Sequence, residues 1–416
     1  MDTEICIIGA GPAGLMAALG AAKQGAATLV VEGNANAGHK LLVTGGGRCN
    51  FTHAASVDEL VRAFGPAGRF LKHSFHTLTP DDLQAFFETN GVPARVEPDG
   101  CVFPTADRAA AIRDVLVREA EAHGAHLLYG RPVTDVTTKD KGFEIRTERH
   151  VIFAQRAIIA TGGLSWPQTG STGDGYRLAR ALGHDLVTPK PALVPLVTQD
   201  TWPGEIAGVS VDDVVIRATV AKRKVISQGS LVFTYDGIGG PAPQDMSRFL
   251  IDALTAGPAP LEIRLDLAPA LEEKALDRQL QDRLAAHPKK GLANILAEFV
   301  PKRLAAALCR LAQCDANLEA NQVARDIRRR LVGLLKSLPL RVRGTRPIAE
   351  ATVTRGGVGR AQIDPRTMAS KVCPGLYFAG EVIDADGPCG GYNLQMCFAT
   401  GLLAGRSASD SLVKSH

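Results

Sequence analysis

Residues 44–53 read TGGGRCNFTH, three consecutive glycines set against an arginine, a cysteine and an asparagine. Glycines remove side chains where backbone must come close to a ligand, and the polar residues behind them can hydrogen-bond what arrives. Upstream, residues 9–14 read GAGPAG, the GxGxxG spacing of a nucleotide cradle. In that cradle Gly9 makes a tight turn, Gly11 lets backbone approach a pyrophosphate, and Gly14 permits close helix-to-strand packing. Pro12 and Ala13 open the helix whose unpaired N–H groups face the phosphates. Glu32, about twenty residues further on, is placed to accept from both ribose hydroxyls.

These residues need particular elements around them. Residues 4–8 (EICII) read as a buried strand, 12–24 as an apolar helix and 28–32 as a second strand. The motif therefore falls between a strand and a helix of a βαβ unit, the context in which GxGxxG denotes an adenine dinucleotide.

A second segment, residues 375–408, decides between dinucleotides. The apolar run LYFAG ends in Gly380-Glu381, and Gly390-Gly391 open an apolar helix that begins Tyr392-Asn393-Leu394. In two-dinucleotide flavoproteins such a strand end reaches the ribityl chain and pyrophosphate. The following helix N-terminus points at the flavin pyrimidine, where its dipole favours negative charge. A simple NAD enzyme has no use for this segment, so the expected cofactor is FAD. No second GxGxxG lies in a βαβ context, GGVGRA at 356–361 included, so NADH or NADPH is expected only as a transient reductant.

Within TGGGRCN, backbone at Gly45, Gly46 and Gly47 is expected at the ribityl–flavin junction, with Arg48 and Asn50 bonding flavin or phosphate oxygens. Lys40, Thr44, Val133, Ala160, Thr161, Gly162 and Asp386 complete the expected cofactor set. Cys49 has no local cysteine partner, so a dithiol mechanism is not expected; a packed residue and a flavin-contacting or reactive thiol both stay open. Arg355 and Tyr392 are the candidate proton donors or substrate clamps, against structural roles as an ion-pair member and a cofactor-packing ring. Asp384 and Asp386 are read as helix caps or ribityl partners. Trp166 and Tyr235 are candidate substrate walls, with ordinary packing as the plainer reading. The histidines show no metal-site spacing, and no metal is expected.

The chain has 416 residues, 45% of them hydrophobic, with 43 glycines and 24 prolines in short clusters, which suits an α/β protein of two or three domains. A net charge of +4 gives no ground for nucleic-acid binding through net charge alone. Residues 325–347 form a basic amphipathic stretch, read as a solvated helix face in preference to an RNA, membrane or partner surface. Eight irregularly spaced cysteines, none in CxxC, point to free thiols in a reducing compartment. The absence of a long apolar run points to a soluble, cytoplasmic protein. Composition divides the chain into a first cofactor segment 1–188, an antiparallel β insert 189–269, a helical insert 270–344, and a second cofactor segment 345–416.

Five stretches, GAGPAGLMAA, GHKLLVTGGGRCNFTH, ATGGLSWPQTGSTGDGY, VTRGGV and GLYFAGEVIDADGPCGGYNLQMCFATG, resemble the BaiN/YhiN-type FAD-binding oxidoreductases, the aminoacetone-oxidase-like flavoproteins, over nearly the whole length. TGGGRCN together with GGYNLQ carries the resemblance, whereas ATGG…TGDG is shared with fumarate-reductase-like flavoproteins. The resemblance implies a glutathione-reductase-like Rossmann FAD-binding domain, interrupted by a barrel-like antiparallel β subdomain and a helical subdomain. For some members it also implies reduction of conjugated or steroid-like double bonds. The expected activity is NAD(P)H-supported reduction of an unsaturated small molecule entering between the FAD domain and the insert. A tRNA-modifying flavoprotein, an oxygen-using oxidase and a noncatalytic flavin scaffold are the alternatives. Nucleic acid and membrane are not expected partners, and oligomeric state stays open.

Overall fold

The computed structural model describes residues 1–257 and 260–413. It forms two compact units, Met1–Lys190 together with the chain from Thr352 on, and Pro191–Ala351. Among the described residues no helix is long and apolar enough to cross a membrane.

The first unit is built on a seven-stranded sheet. Strands Ala125–Leu128, Thr28–Val31, Asp2–Ile8 and Val151–Ile159 run parallel in that order. Gly142–Thr147 and Val133–Lys139 continue the sheet antiparallel, and Leu376–Phe378 joins Val151–Ile159 in parallel. The inner parts of the central strands are buried, as in Ile5–Ile8 and Ala157–Ile159, so the sheet's middle reads as apolar runs.

Helix Pro12–Ala22 is buried along its length from Ala13. Its uniformly apolar composition follows from being enclosed by the sheet and by the long helix Tyr392–Val413. The two helices meet backbone to backbone. A Cβ on Gly401 would sit 2.2 Å from the Ala13 carbonyl oxygen, and one on Gly405 2.0 Å from that of Ala17. Ala13 faces Gly401 and Ala17 faces Gly405, so the helices run parallel, and the start at Tyr392 projects about 12 Å beyond the start at Pro12.

A small antiparallel sheet of Thr52–His53, Cys101–Pro104 and Ala94–Val96 lies in the same unit. Helices Val57–Ala63 and Pro80–Thr89 begin in capping boxes, Ser56 with Glu59 and Thr79 with Asp82.

The second unit is a closed antiparallel barrel in the order Leu196–Thr198, Gly237–Gly239, Arg223–Thr234, Ser210–Val220, Leu261–Asp266, Leu338–Thr345. The helices between its last two strands share its core: Phe233 and Ile263 of the barrel belong to one cluster with Leu280, Leu304 and Leu335. The expected boundary at 269/270 therefore does not separate two compact units. The last barrel strand, Leu338–Thr345, reaches past the expected end of the insert, and the first unit resumes only at Thr352.

Candidate functional site

Gly9 follows the first strand with φ +103, and a Cβ on Gly14 would lie 1.8 Å from the Gly9 carbonyl oxygen. The turn and the helix are thus in contact that only glycine permits. Gly11 differs: among the described residues nothing lies within 4 Å of a Cβ placed there. The helix that starts after Gly11 has no side-chain cap and no acid in its first turn. A half-buried helix N-terminus with open space before it fits a pyrophosphate.

Glu32 is 9% exposed and rigidly held. Its Oε2 accepts from the Ala10 N–H at 2.6 Å and its Oε1 from the N–H and Nδ2 of Asn34, each at 2.8 Å. The Arg131 N–H, two residues before Val133, donates to the Glu32 carbonyl at 2.9 Å. A cavity of about 350 Å³ lined by Asn36, Arg113, Val117, Arg118 and Tyr129 adjoins this loop. Burial raises the Tyr129 phenol above its ordinary value, and the charges of Glu121 and Glu32 push it the same way.

Ala160, Thr161 and Gly162 follow strand Val151–Ile159 on the other side of the Gly9 turn, the Ala160 N–H donating to Ile8 at 2.9 Å. Thr161 Oγ1 is buried with no hydrogen-bond partner among the described residues. An orphaned hydroxyl beside the glycine turn again fits a bound polar ligand.

Gly45, Gly46 and Gly47 have φ of +56, +66 and +88. A run of three left-handed residues explains three glycines, because any other L-residue would pay strain at each position. The side chains around them are placed differently from expectation. Arg48 turns to the rim, donating to Glu97 at 2.8 Å and lying 3.9 Å above the Phe103 ring. Asn50 Oδ1 accepts from the Val102 N–H at 3.2 Å, and Thr44 Oγ1 donates to the Leu41 carbonyl at 2.6 Å. These three side chains tie the loop to its neighbours.

Cys49 is fully buried, and burial pushes its thiol up to about 12. It stays protonated, which fits packing and argues against a thiolate nucleophile, so the reactive-thiol candidate is set aside.

Glu381, like Glu32, is held by protein donors. Its Oε2 takes a 2.7 Å ion pair from Lys40, and its Oε1 accepts from Ser165 Oγ at 2.9 Å and the Thr354 N–H at 2.7 Å. Lys40 also donates to Ser165 Oγ at 2.6 Å. Thr354 Oγ1 accepts from the N–H groups of Leu164 and Ser165. With its oxygens filled by protein donors, Glu381 clasps four chain segments around Gly380. Nothing in the spacing of Ser165 or Thr354 marked them, because a network across four distant segments has no local motif.

Gly390 and Gly391, with φ +104 and +91, lead into the helix starting at Tyr392. A Cβ on Gly391 would meet the Thr52 carbonyl oxygen at 2.2 Å. Strand Thr52–His53 is thereby brought against the helix start, and His53 stacks on Tyr392 at 4.5 Å between ring centroids. His53 Nδ1 lies 2.9 Å from the Gly390 carbonyl; a carbonyl only accepts, so Nδ1 carries the proton. His53 was not among the expected site residues; its position after TGGGRCN was the available signal. Asn393 bonds Gly387 and Pro388 and shapes the preceding loop, and Leu394 packs on the core.

Asp384 pairs with Arg360 at 3.4 Å, Asp386 lies in the loop before the glycine pair, and Arg355 is half-buried on strand Val353–Val358. Trp166 is half-buried with φ +54 and Tyr235 is 91% exposed on a barrel turn. Among the described residues no group of three or more His, Cys, Asp or Glu could hold a metal ion.

A Rossmann cradle made from two chain segments and joined to an inserted barrel defines an FAD-dependent oxidoreductase. The chain belongs to the family described as HI0933-like protein Rossmann domain, which matches residues 3–407. It is 32% identical over 411 residues to the 3-dehydro-bile acid delta(4,6)-reductase of Clostridium scindens, across 98% of this chain and 99% of that one. It is 31% identical over 402 residues to the ribosomal RNA dihydrouridine synthase of Escherichia coli, across 95% and 96%. Among solved structures, the 3-ketosteroid-delta4-(5alpha)-dehydrogenase of Rhodococcus jostii RHA1 matches with a TM-score of 0.53 at 18% identity, across 98% of this chain and 97% of that one. At that identity the likeness shows the fold.

Proposed function

We propose that this flavoprotein reduces a ring carbon–carbon double bond conjugated to a carbonyl, with NADH or NADPH as a transient electron source. The supporting observation is that two nearly full-length relatives with different substrates carry names that share one reaction. A 3-oxo steroid with Δ4,6 unsaturation and a uracil ring both present O=C–C=C, and both names denote its saturation. Net, the substrate gains a hydride at the carbon remote from the carbonyl and a proton at the adjacent one, while NAD(P)H becomes NAD(P)⁺. FAD, when bound, supplies the hydride chemistry.

The chain's own residues provide binding and proton control. The open helix start at Gly11 and the fixed Glu32 carboxylate would hold the pyrophosphate and ribose. Tyr392, fixed by its stack on His53, is the proposed proton donor. Arg355 is the proposed clamp on the substrate carbonyl.

The first substrate class is a small cyclic enone. A second reading, uracil within RNA, is favoured by a specific observation about charge. Pro191–Ala351 holds 22 Lys and Arg against 18 Asp and Glu, while the rest of the chain holds 25 of each, so the whole net charge lies on the barrel unit.

The test is anaerobic stopped-flow bleaching of the visible flavin band with NADH and NADPH in turn, followed by mixing with a cyclic enone, uridine or a uridine-rich RNA. Bleaching by one donor and recovery with one acceptor class supports the reading. Reduced protein that none of these acceptors reoxidises, while oxygen does, would instead indicate an oxidase.

A further inference from the structure

The basic stretch that stands out in the sequence, residues 325–347, is largely neutralised within its own unit. Arg328 pairs with Asp277 at 2.8 Å, Arg330 with Asp326 at 3.4 Å and Lys336 with Asp266 at 2.8 Å. Arg341 pairs with Asp200 at 2.6 Å and Arg346 with Asp236 at 3.0 Å. Arg325, Arg329 and Arg343 of that stretch are exposed with no carboxylate bonded to them among the described residues, but they are dispersed along it, whereas three such cations are contiguous on the hairpin joining strands Ser210–Val220 and Arg223–Thr234. Lys222, Arg223 and Lys224 are consecutive and exposed, and among the described residues no carboxylate is bonded to them.

Two locally unfavourable choices accompany this cluster. The hairpin turn is made by Ala221 and Lys222 at φ +47 and +68, positions where asparagine and glycine are the strain-free choices. Below the tip, Arg217 stands directly opposite Arg264 on the neighbouring strand, and like charges so placed repel. Each has a carboxylate partner on that same face, Asp266 for Arg217 and Glu262 for Arg264. On the other side Arg217 faces Ile226, which is 59% exposed. Strand alternation sends Lys224, Ile226, Arg217 and Arg264 to the same outer face. Strain and repulsion are thus retained where they concentrate positive charge beside an exposed apolar side chain.

We infer that this outer face of the barrel, the tip 222–224 with Arg217 and Arg264, is a docking surface for RNA, gripped through its phosphates with Ile226 against a sugar or base. The inference rests on the second substrate reading above and supplies the surface that reading needs. Five cations engaging a single-stranded segment would give a salt slope of about −3.5, a loss of about a hundredfold in affinity between about 50 and about 200 mM salt.

The test is fluorescence anisotropy of a labelled uridine-containing RNA stem-loop with the FAD-loaded protein. The variant K222A/R223A/K224A should bind at least tenfold more weakly at low salt, with the slope reduced to about −1.4. The variant K289A/K302A/R329A removes equal charge from other exposed sites of the same unit and should keep the wild-type slope. FAD content per chain, unchanged in both, reports that they fold. Absence of RNA binding by the wild type, an equal loss in both variants, or full binding by the hairpin variant would each overturn the surface. So would hairpin-dependent binding of phosphatidylserine vesicles that matches the RNA. These results leave the double-bond reading standing, whereas RNA binding without reduction of any conjugated double bond would overturn that reading and leave the surface.

Discussion

Around the nucleotide cradle, backbone touches backbone: Gly14 on the Gly9 carbonyl, Gly401 on Ala13, Gly405 on Ala17, Gly391 on Thr52. The barrel unit is held instead by large apolar side chains, with Phe233, Ile263, Leu304 and Leu335 all wholly buried. A side-chain core tolerates exchange if volume is roughly kept, whereas a backbone contact tolerates no added atom. The cradle is therefore specified by where side chains are forbidden, whereas the barrel core, like the Phe51, Phe75 and Phe87 core elsewhere in the first unit, is specified by how side chains fill space.

The sharpest break of that comparison is Gly14→Val, whose side chain would enter the Gly9 carbonyl; little folded, FAD-bearing protein should be recovered. Gly11→Val has open space and an extended φ of −75, so the fold should lose only about 1 kcal/mol from a poorer helix start, yet FAD should be lost. Unchanged FAD stoichiometry in Gly11→Val would place the pyrophosphate elsewhere.

In the barrel, Phe233→Ala should cost about 3–5 kcal/mol by leaving a cavity. Calorimetry should show earlier melting while FAD per folded chain is kept; FAD loss in step would mean that the cofactor site depends on the barrel core.

Glu381→Gln leaves the Lys40 ammonium without its counter-charge. The cost should be about 2–3 kcal/mol, below that of a wholly buried pair because the Lys40 side chain keeps 21% exposure. Urea midpoints unchanged by the substitution would deny the clasp its structural role.

The smallest effect concerns pH. Burial holds the His184 imidazole below its ordinary value of 6.5, outweighing its bond to Ala179. In the unfolded chain the ring takes a proton near 6.5, and in the folded chain only further down. Within that window the unfolded state binds more protons, so stability falls as pH drops below 6.5 and the contribution is absent above it. His184→Gln should flatten the fall in melting temperature between about pH 7 and about pH 5. An unaltered slope would assign the acid sensitivity to other groups.

Much of the first unit was legible because its determinants are local. GAGPAG, Glu32 and the GGYN helix start each encode a backbone shape within a few residues, and each lies where its spacing implied. The alternating strands of the barrel were legible for the same reason. The barrel's closure was not, because Leu196–Thr198 and Leu338–Thr345 pair across more than a hundred intervening residues. The protein partners of Arg48, Asn50 and Glu381 were not legible, since residue type gives bonding capacity and only the fold chooses the partner. Charge density likewise pointed to 325–347, where the fold supplies acids to five of the eight cations, and away from a three-residue hairpin tip, where it supplies none among the described residues.

The parallel helix pair has a consequence for synthesis. Gly401 and Gly405 leave the ribosome after every residue of the barrel unit, although the helix they pack against precedes that unit in the chain. During translation the barrel can condense first, while the early βαβ segment waits with one flank of its helix bare. FAD capture is then the closing event of biogenesis, and ribosome-stalled chains ending before residue 390 should hold a folded barrel without retaining flavin.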